Sequence, residues 1–169
     1  AILAAAKHNG PVYMRFGRSA VPVVFDADTY KFDIGKGVQL VEGSDVTLVA
    51  TGITVEMALE ASEILKSRGI SARVINMATI KPIDREILVK ASRETGVIVT
   101  SEEHNIIGGL GSAVCEALCE EAPCIVERVG IRDSFGRSGS VNDLLKYYKL
   151  TAEEIVSRAE IALKRAGKR

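Results

Sequence analysis

Short runs of consecutive apolar residues recur along the chain from Asp45 onward. They lie at residues 46–50, 72–75, 97–100 and 125–129, so their starts are 26, 25 and 28 residues apart. Strands that lack polar alternation are usually buried on both faces, as in parallel sheets. The pattern therefore predicts a set of buried parallel strands.

Helical patterns separate these apolar runs. The predicted N-caps of four helices are Thr54, Asp84, Ser140 and Thr151, and a fifth pattern runs from about Leu110 to Pro123. Gly69 and Gly96 are predicted to end the first two helices. Alternation of strand and helix at this period indicates right-handed crossovers. We therefore predict a three-layer αβα fold with a mostly parallel sheet of about five strands.

The first 36 residues follow a different pattern. Residues 1–7 resemble the end of an Ala-rich helix, and residues 12–16 resemble a strand. We interpret residues 1–20 as the remnant of a preceding domain, residues 21–36 as a linker, and residues 37–169 as the main domain.

Composition excludes several functional classes. The 22 Lys and Arg residues balance the 22 Asp and Glu residues, which argues against a nucleic-acid clamp. No apolar run approaches the roughly 18 residues of a membrane-spanning helix, and the first residues do not resemble a signal peptide. The odd number of cysteines, three, predicts reduced thiols. We expect a cytoplasmic protein that contacts neither nucleic acid nor membranes.

Residues 101–111, with the sequence SEEHNIIGGLG, follow a predicted strand and precede a predicted helix. Ligands often bind at such loops, and a helix N-terminus attracts anions. Alternatively, the glycines only pack the turn and the carboxylates are solvated. The segment from Gly109 to Val114 departs from the dinucleotide fingerprint, because Val stands where Gly or Ala is needed. His104 is either a general base or a structural histidine at a turn.

Other motifs give weaker indications of chemistry. Arg18 and Arg137 both lie in Phe-Gly-Arg-Ser segments, where a guanidinium could hold phosphate or carboxylate, or could simply lie at the surface. Cys115, Cys119 and Cys124 match no zinc or cluster spacing and are predicted to be small buried apolar residues. The chain contains no complete catalytic constellation, and we predict no catalytic and no metal-binding residue in it.

Several ordered motifs resemble the C-terminal domain of transketolases. They are DVTLVATG at 45–52, NMATIKPID at 76–84, TSEEHNIIGGLGSA at 100–113 and FGRSGSVNDLLKYY at 135–148. GPVYMRFGRSAVPVV at 10–24 looks most like the split transketolases, in which the C-terminal half is a separate polypeptide. The resemblance covers nearly the whole chain.

This resemblance implies a fold with one antiparallel edge strand. It also implies transfer of a two-carbon ketol unit between phosphosugars, with thiamine diphosphate and Mg²⁺ bound by two upstream domains. We therefore expect this chain to bind no cofactor, to be inactive alone, and to serve assembly and peripheral substrate contact. Its expected partners are a second copy in a homodimer, the N-terminal transketolase half, and sugar phosphates.

Two residues match positions of the family pattern. Arg18 corresponds to the arginine that binds the sugar phosphate, and His104 lies in the family's Glu/Asp–His turn. Both are candidate substrate-binding residues. The alternatives are the C-terminal part of a 2-oxo-acid dehydrogenase beta subunit or of a 1-deoxyxylulose-5-phosphate synthase. From a different class, a non-catalytic regulatory or nucleotide-binding module would use the turn at residues 108–111.

Overall fold

The computed structural model of the protein describes residues 1–18 and 20–168. The strands in these ranges are β1 Val38–Val41, β2 Val46–Ala50, β3 Ala72–Asn76, β4 Val97–Asn105 and β5 Ile125–Ile131. The helices are α1 Ile2–Lys7, α2 Thr54–Ser67, α3 Arg85–Thr95, α4 Leu110–Cys119, α5 Val141–Tyr147 and α6 Ala152–Arg165.

The strands form one sheet in the order β1-β3-β2-β4-β5. β2 to β5 are parallel, whereas β1 pairs with β3 in the antiparallel direction. Helices α2 and α6 pack on one face of the sheet, and α3 and α4 pack on the other. The predicted three-layer αβα fold, with a mostly parallel sheet and one antiparallel edge strand, is therefore confirmed.

The continuous apolar sequence of β2 follows from its central place in the sheet. Leu48 contacts the apolar core on the α2 and α6 side, and Val49 contacts the core on the α3 and α4 side. Successive strand residues point to opposite faces, so both sets must be apolar where both faces are covered. The buried hydroxyl of Thr47 is satisfied by the Thr95 hydroxyl, at 2.9 Å.

Three of the predicted N-caps are confirmed. The side chains of Asp84, Ser140 and Thr151 each accept a hydrogen bond from the backbone N–H three residues later. Gly96 ends α3 with φ of 63°, a left-handed conformation that glycine adopts without steric cost. α4 ends at Cys119, four residues before the predicted limit at Pro123.

The predicted N-cap at Thr54 is wrong. Helix α2 begins at this residue, with Ile53 in the N-cap position. The Thr54 hydroxyl donates to two backbone carbonyls, that of Thr51 at 2.8 Å and that of Ser101 at 2.7 Å. Because the hydroxyl is fully buried next to these acceptors, it satisfies them instead of the helix N-terminus.

The strand predicted at residues 12–16 is also wrong. The structure assigns no strand to this segment, and no strand within the described ranges pairs with it, so its backbone groups lack the partners that a sheet would supply. Tyr13 is 89% exposed and Phe16 is 64% exposed. The helix expected at residues 1–7 is present as α1. The division into residues 1–20, 21–36 and 37–169 stays a prediction.

Among the residues that the structure describes, no helix combines the length and the apolar character required to cross a bilayer.

Candidate functional site

The carboxyl ends of the parallel strands form the edge of the sheet where a ligand would be expected. The segment at residues 15–17 lies against this edge. The Arg15 Nη1 donates to the backbone carbonyl of Glu103 at 3.3 Å, and the two side chains approach to 4.0 Å. A Cβ atom on Gly17 would lie 3.9 Å from the Ile53 side chain, just beyond the end of β2. The N-terminal segment therefore contributes to this edge.

The two predicted substrate-binding residues are both exposed at this edge. Arg18 follows the segment that contacts Ile53 and Glu103, and within the described ranges it forms no ion pair. The His104 Nδ1 lies 3.1 Å from the carbonyl oxygen of Asn105, and the ring is open to solvent. In the described part of the chain, no hydrogen bond or ion pair joins Arg18 to His104. Their roles in binding stay predictions.

A buried carboxylate occupies the N-terminus of α4. Glu102 is 1% exposed, and its Oε2 accepts the Leu110 N–H at 2.7 Å while its Oε1 accepts the Gly111 N–H at 2.9 Å. The residue in the N-cap position, Gly109, has no side chain to do this. A carboxylate here is favoured by both the free N–H groups and the helix dipole. The chain's own side chain therefore takes the position predicted to attract an anion.

The glycines around this helix start are required by close packing. A Cβ atom on Gly109 would lie 1.9 Å from the Glu102 Oε2, and one on Gly111 would lie 2.6 Å from the Arg128 Cδ. A Cβ on Gly130 would lie 2.6 Å from Ile106. The structure thus supports the alternative that the glycines pack the turn. The Glu102 carboxylate also occupies the N–H groups to which the phosphate of a nucleotide would bind in a nucleotide-binding module at residues 108–111.

Sequence reasoning missed Glu102 as a capping residue and treated the acidic pair as solvated or ligand-binding. One signal for this role was available in the sequence. Glu102 lies near the end of a strand, eight and nine residues before the N–H groups of Leu110 and Gly111, and the helix they begin has no capping side chain of its own. Only the tertiary fold brings these groups together.

The three cysteines differ in their surroundings. Partial burial raises the pKa of the Cys115 and Cys124 thiols, so both are poorer nucleophiles at neutral pH than a free cysteine. The prediction of buried cysteines is wrong for Cys119, which is exposed because it lies in the last turn of α4 on the solvent side. None of these features indicates a catalytic thiol.

Comparisons with known proteins identify the class. Residues 35–155 match the family described as the transketolase C-terminal domain. The chain is 48% identical over 155 residues to the putative transketolase C-terminal section of Methanocaldococcus jannaschii, covering 90% of this chain and 48% of that protein. It is 44% identical over 153 residues to the 1-deoxy-D-xylulose-5-phosphate synthase of Heliobacterium modesticaldum, covering 89% of this chain and 24% of that protein.

A solved structure described as a split gene transketolase, inactive beta4 tetramer, superposes with a TM-score of 0.93. It is 52% identical, and the match covers 96% of this chain and 53% of that chain. The chain therefore belongs to the transketolase family, and it carries the family's C-terminal domain. It spans about half the length of the Methanocaldococcus relative and of the solved split transketolase.

The family implies thiamine diphosphate in the complete enzyme. The described residues at the turn before α4 do not fit this group. The N-terminus of α4, where a diphosphate could bind, is filled by the Glu102 carboxylate. Within residues 1–18 and 20–168, no three His, Cys, Asp or Glu side chains are grouped so that they could hold its metal ion. No chemical step is therefore assigned to residues of this chain.

Proposed function

We propose that this chain is the C-terminal domain of a thiamine-diphosphate-dependent transketolase. The complete enzyme would transfer a two-carbon ketol unit between phosphosugars, within the pentose phosphate pathway of the cytoplasm. The observation that carries this proposal is the match of 96% of the chain to about half of a split-gene transketolase. That protein is described as an inactive tetramer, which supports inactivity of the present chain without its partner.

In this proposal the chain acts in assembly. The segment from Ile2 to Val24 exposes large apolar side chains, including Tyr13, Phe16 and Val23, which is 90% exposed. Contiguous exposed apolar surface of this kind indicates a protein interface. We propose that this surface packs against the remaining transketolase domains and that the chain also associates with a second copy of itself as a homodimer.

The chain would also contribute peripheral contacts to the substrate. The N-terminus of α2 has no side-chain cap, and it begins directly after Ile53, which faces Gly17. The Val55 N–H is already bonded to the Gly52 carbonyl at 3.2 Å. The helix dipole at this N-terminus and the Arg18 guanidinium are both suited to a phosphate oxygen. The exposed His104 ring, on the neighbouring strand end, is suited to a sugar hydroxyl.

Reconstitution tests this proposal. The 169-residue chain is mixed with the polypeptide that carries the remaining transketolase domains, together with thiamine diphosphate and Mg²⁺. Xylulose 5-phosphate is supplied as the donor of the two-carbon unit, and an aldose phosphate is supplied as its acceptor. Ketol transfer is expected in the mixture and in neither component alone. In the mixture, Arg18→Gln should raise KM for the phosphosugar more than it lowers kcat, because a group that binds the substrate equally throughout changes KM. Exposed Arg93, on α3, supplies the matched control Arg93→Gln.

Two results would reject the proposal. One is turnover of a ketose by the purified chain alone. The other is a folded, assembled mixture that has no activity on xylulose 5-phosphate.

A second candidate is the C-terminal domain of a 1-deoxyxylulose-5-phosphate synthase. It is favoured by the 44% identity to the Heliobacterium enzyme and by a second synthase, from Geobacter sulfurreducens, that is 40% identical over 166 residues. The same two polypeptides, supplied instead with pyruvate and glyceraldehyde 3-phosphate, distinguish the two candidates. Release of CO₂ from pyruvate with formation of 1-deoxyxylulose 5-phosphate, and no ketol transfer from xylulose 5-phosphate, would select the synthase.

A further inference from the structure

A pocket of about 300 Å³ lies beside β5, where this strand meets the loop after it and helices α5 and α6. Neither of the proposed substrate contacts, Arg18 and His104, lines it. We call it the β5 pocket and define it by Gly130, Arg132, Tyr147, Lys149 and Arg158.

The charge of the β5 pocket is not balanced. Arg158 is neutralised, because its Nε donates to Glu154 at 2.8 Å and its Nη1 lies 3.6 Å from Glu127. Arg132 and Lys149 have no such partner, since neither forms an ion pair with any described residue. The one hydrogen bond from the Arg132 side chain goes to the backbone carbonyl of Arg128, at 3.2 Å. Glu154 also lines the pocket, but its carboxylate is paired with Arg158. Arg132 and Lys149 thus face the pocket without a carboxylate partner of their own.

The surrounding aromatic residues hold the pocket in shape. The rings of Tyr147 and Tyr148 pack edge to face at 4.9 Å between centroids, and the Tyr148 hydroxyl donates to the Phe135 carbonyl at 2.8 Å. The Arg137 guanidinium lies 4.3 Å above the Tyr147 ring, which places a third cation next to the pocket. Such cation–ring stacking fixes a guanidinium without neutralising it.

The backbone of β5 supplies further donors. β5 is the last strand of the sheet, so every second residue directs its N–H and C=O away from β4. The Arg128 carbonyl points this way, because it accepts the bond from Arg132. Gly130, two residues later, has the same orientation by the period of a strand, so its N–H is also directed away from β4.

We propose that the β5 pocket binds a small phosphate monoester or inorganic phosphate. A phosphate dianion requires hydrogen-bond donors and positive charge. The pocket offers the two unpaired cations, the Arg137 guanidinium stacked on Tyr147, and the Gly130 N–H that is directed away from β4. The volume of about 300 Å³ is at the lower end of ligand pockets and suits a small ester. This site goes beyond the transketolase function and does not depend on it.

Calorimetric titration of the 169-residue chain with inorganic phosphate tests the proposal. Ionic strength is held constant with chloride, because exposed charges are screened by salt. Saturable binding to one site is expected. Arg132→Gln and Lys149→Asn should each weaken it about threefold, and together about tenfold, which equals about 1.4 kcal/mol. Asn suits position 149, where φ is 55°, because it tolerates the left-handed conformation.

Matched variants locate the site. Lys90→Gln removes an exposed charge on α3, on the other face of the sheet, and should leave phosphate binding unchanged. A hexose 6-phosphate should bind to the same site, whereas the unphosphorylated hexose should not bind. Thermal melts without phosphate establish that every variant is folded.

The proposal is overturned by an absence of saturable phosphate binding, or by unchanged affinity in the folded double variant. Loss of binding in Arg18→Gln alone would overturn it as well, since the phosphate would then lie at the other site. The titration uses the chain by itself, so a failure of the reconstituted ketol-transfer assay does not affect its outcome.

Discussion

Replacement of Glu102 by Gln tests the buried carboxylate at α4. The substitution keeps the size of the side chain but turns one of two acceptor oxygens into an NH₂ group facing a backbone N–H. Loss of a hydrogen bond to a charged acceptor costs about 1.5–3 kcal/mol, and loss of the charge at the helix N-terminus costs roughly 0.3–2 kcal/mol more. Relief from burying a charge offsets part of this sum. We expect the free energy of unfolding to fall by about 2–4 kcal/mol.

The neighbouring acid provides the matched control. Glu103 differs in having a side chain that is 42% exposed and lies 4.0 Å from Arg15, so Glu103→Gln should change the free energy of unfolding by less than about 1 kcal/mol. Urea-induced unfolding of both variants, followed by circular dichroism at neutral pH, measures the difference. Equal losses in the two variants, or a loss below about 1 kcal/mol for Glu102→Gln, would refute the capping role.

Two further predictions follow from the same region. Gly109→Ala forces a Cβ atom against the Glu102 carboxylate and should lower the free energy of unfolding by at least about 2 kcal/mol. The control Gly136→Ala, where a Cβ would have no atom within 4 Å, should lower it by less than about 0.5 kcal/mol. Similar melting temperatures for the two variants would contradict this prediction. Iodoacetamide at neutral pH should modify the exposed Cys119 before Cys115 and Cys124. The raised pKa values of Cys115 and Cys124 lower their thiolate fractions, so alkylation of these two should become faster as the pH rises. Mass spectrometry of partly labelled chain checks the order, and faster labelling of Cys115 would contradict it.

The parts of the fold that depend on local pattern were predictable. The apolar runs became β2 to β5, and Asp84, Ser140 and Thr151 cap their helices as expected. β1 was expected only through family resemblance, since its residues are half-buried and show no clear alternation. The predicted N-cap role of Thr54 is wrong because its hydroxyl bonds to the backbone of Ser101, 47 residues away. Helix and capping propensities contain no information on such a distant contact.

The candidate site was predictable only in outline. A loop between β4 and α4 follows from the order of strands and helices, but it is shorter than the predicted residues 101–111, because β4 continues to Asn105 and α4 begins at Leu110. The capping role of Glu102 depends on contacts across the turn, and the β5 pocket depends on residues from three separate elements. The positive charge of the β5 pocket could not be predicted from the composition, because the acidic and basic residues of the whole chain are equal in number.

The shared hydrogen bonds of Thr54 have a mechanical consequence. One hydroxyl joins the turn after β2 to the backbone of β4, immediately before the buried Glu102 that anchors α4. Three pieces of chain that are far apart in sequence are therefore cross-linked at the carboxyl edge of the sheet. The N-terminal segment is attached to the same edge through the contact between Arg15 and Glu103.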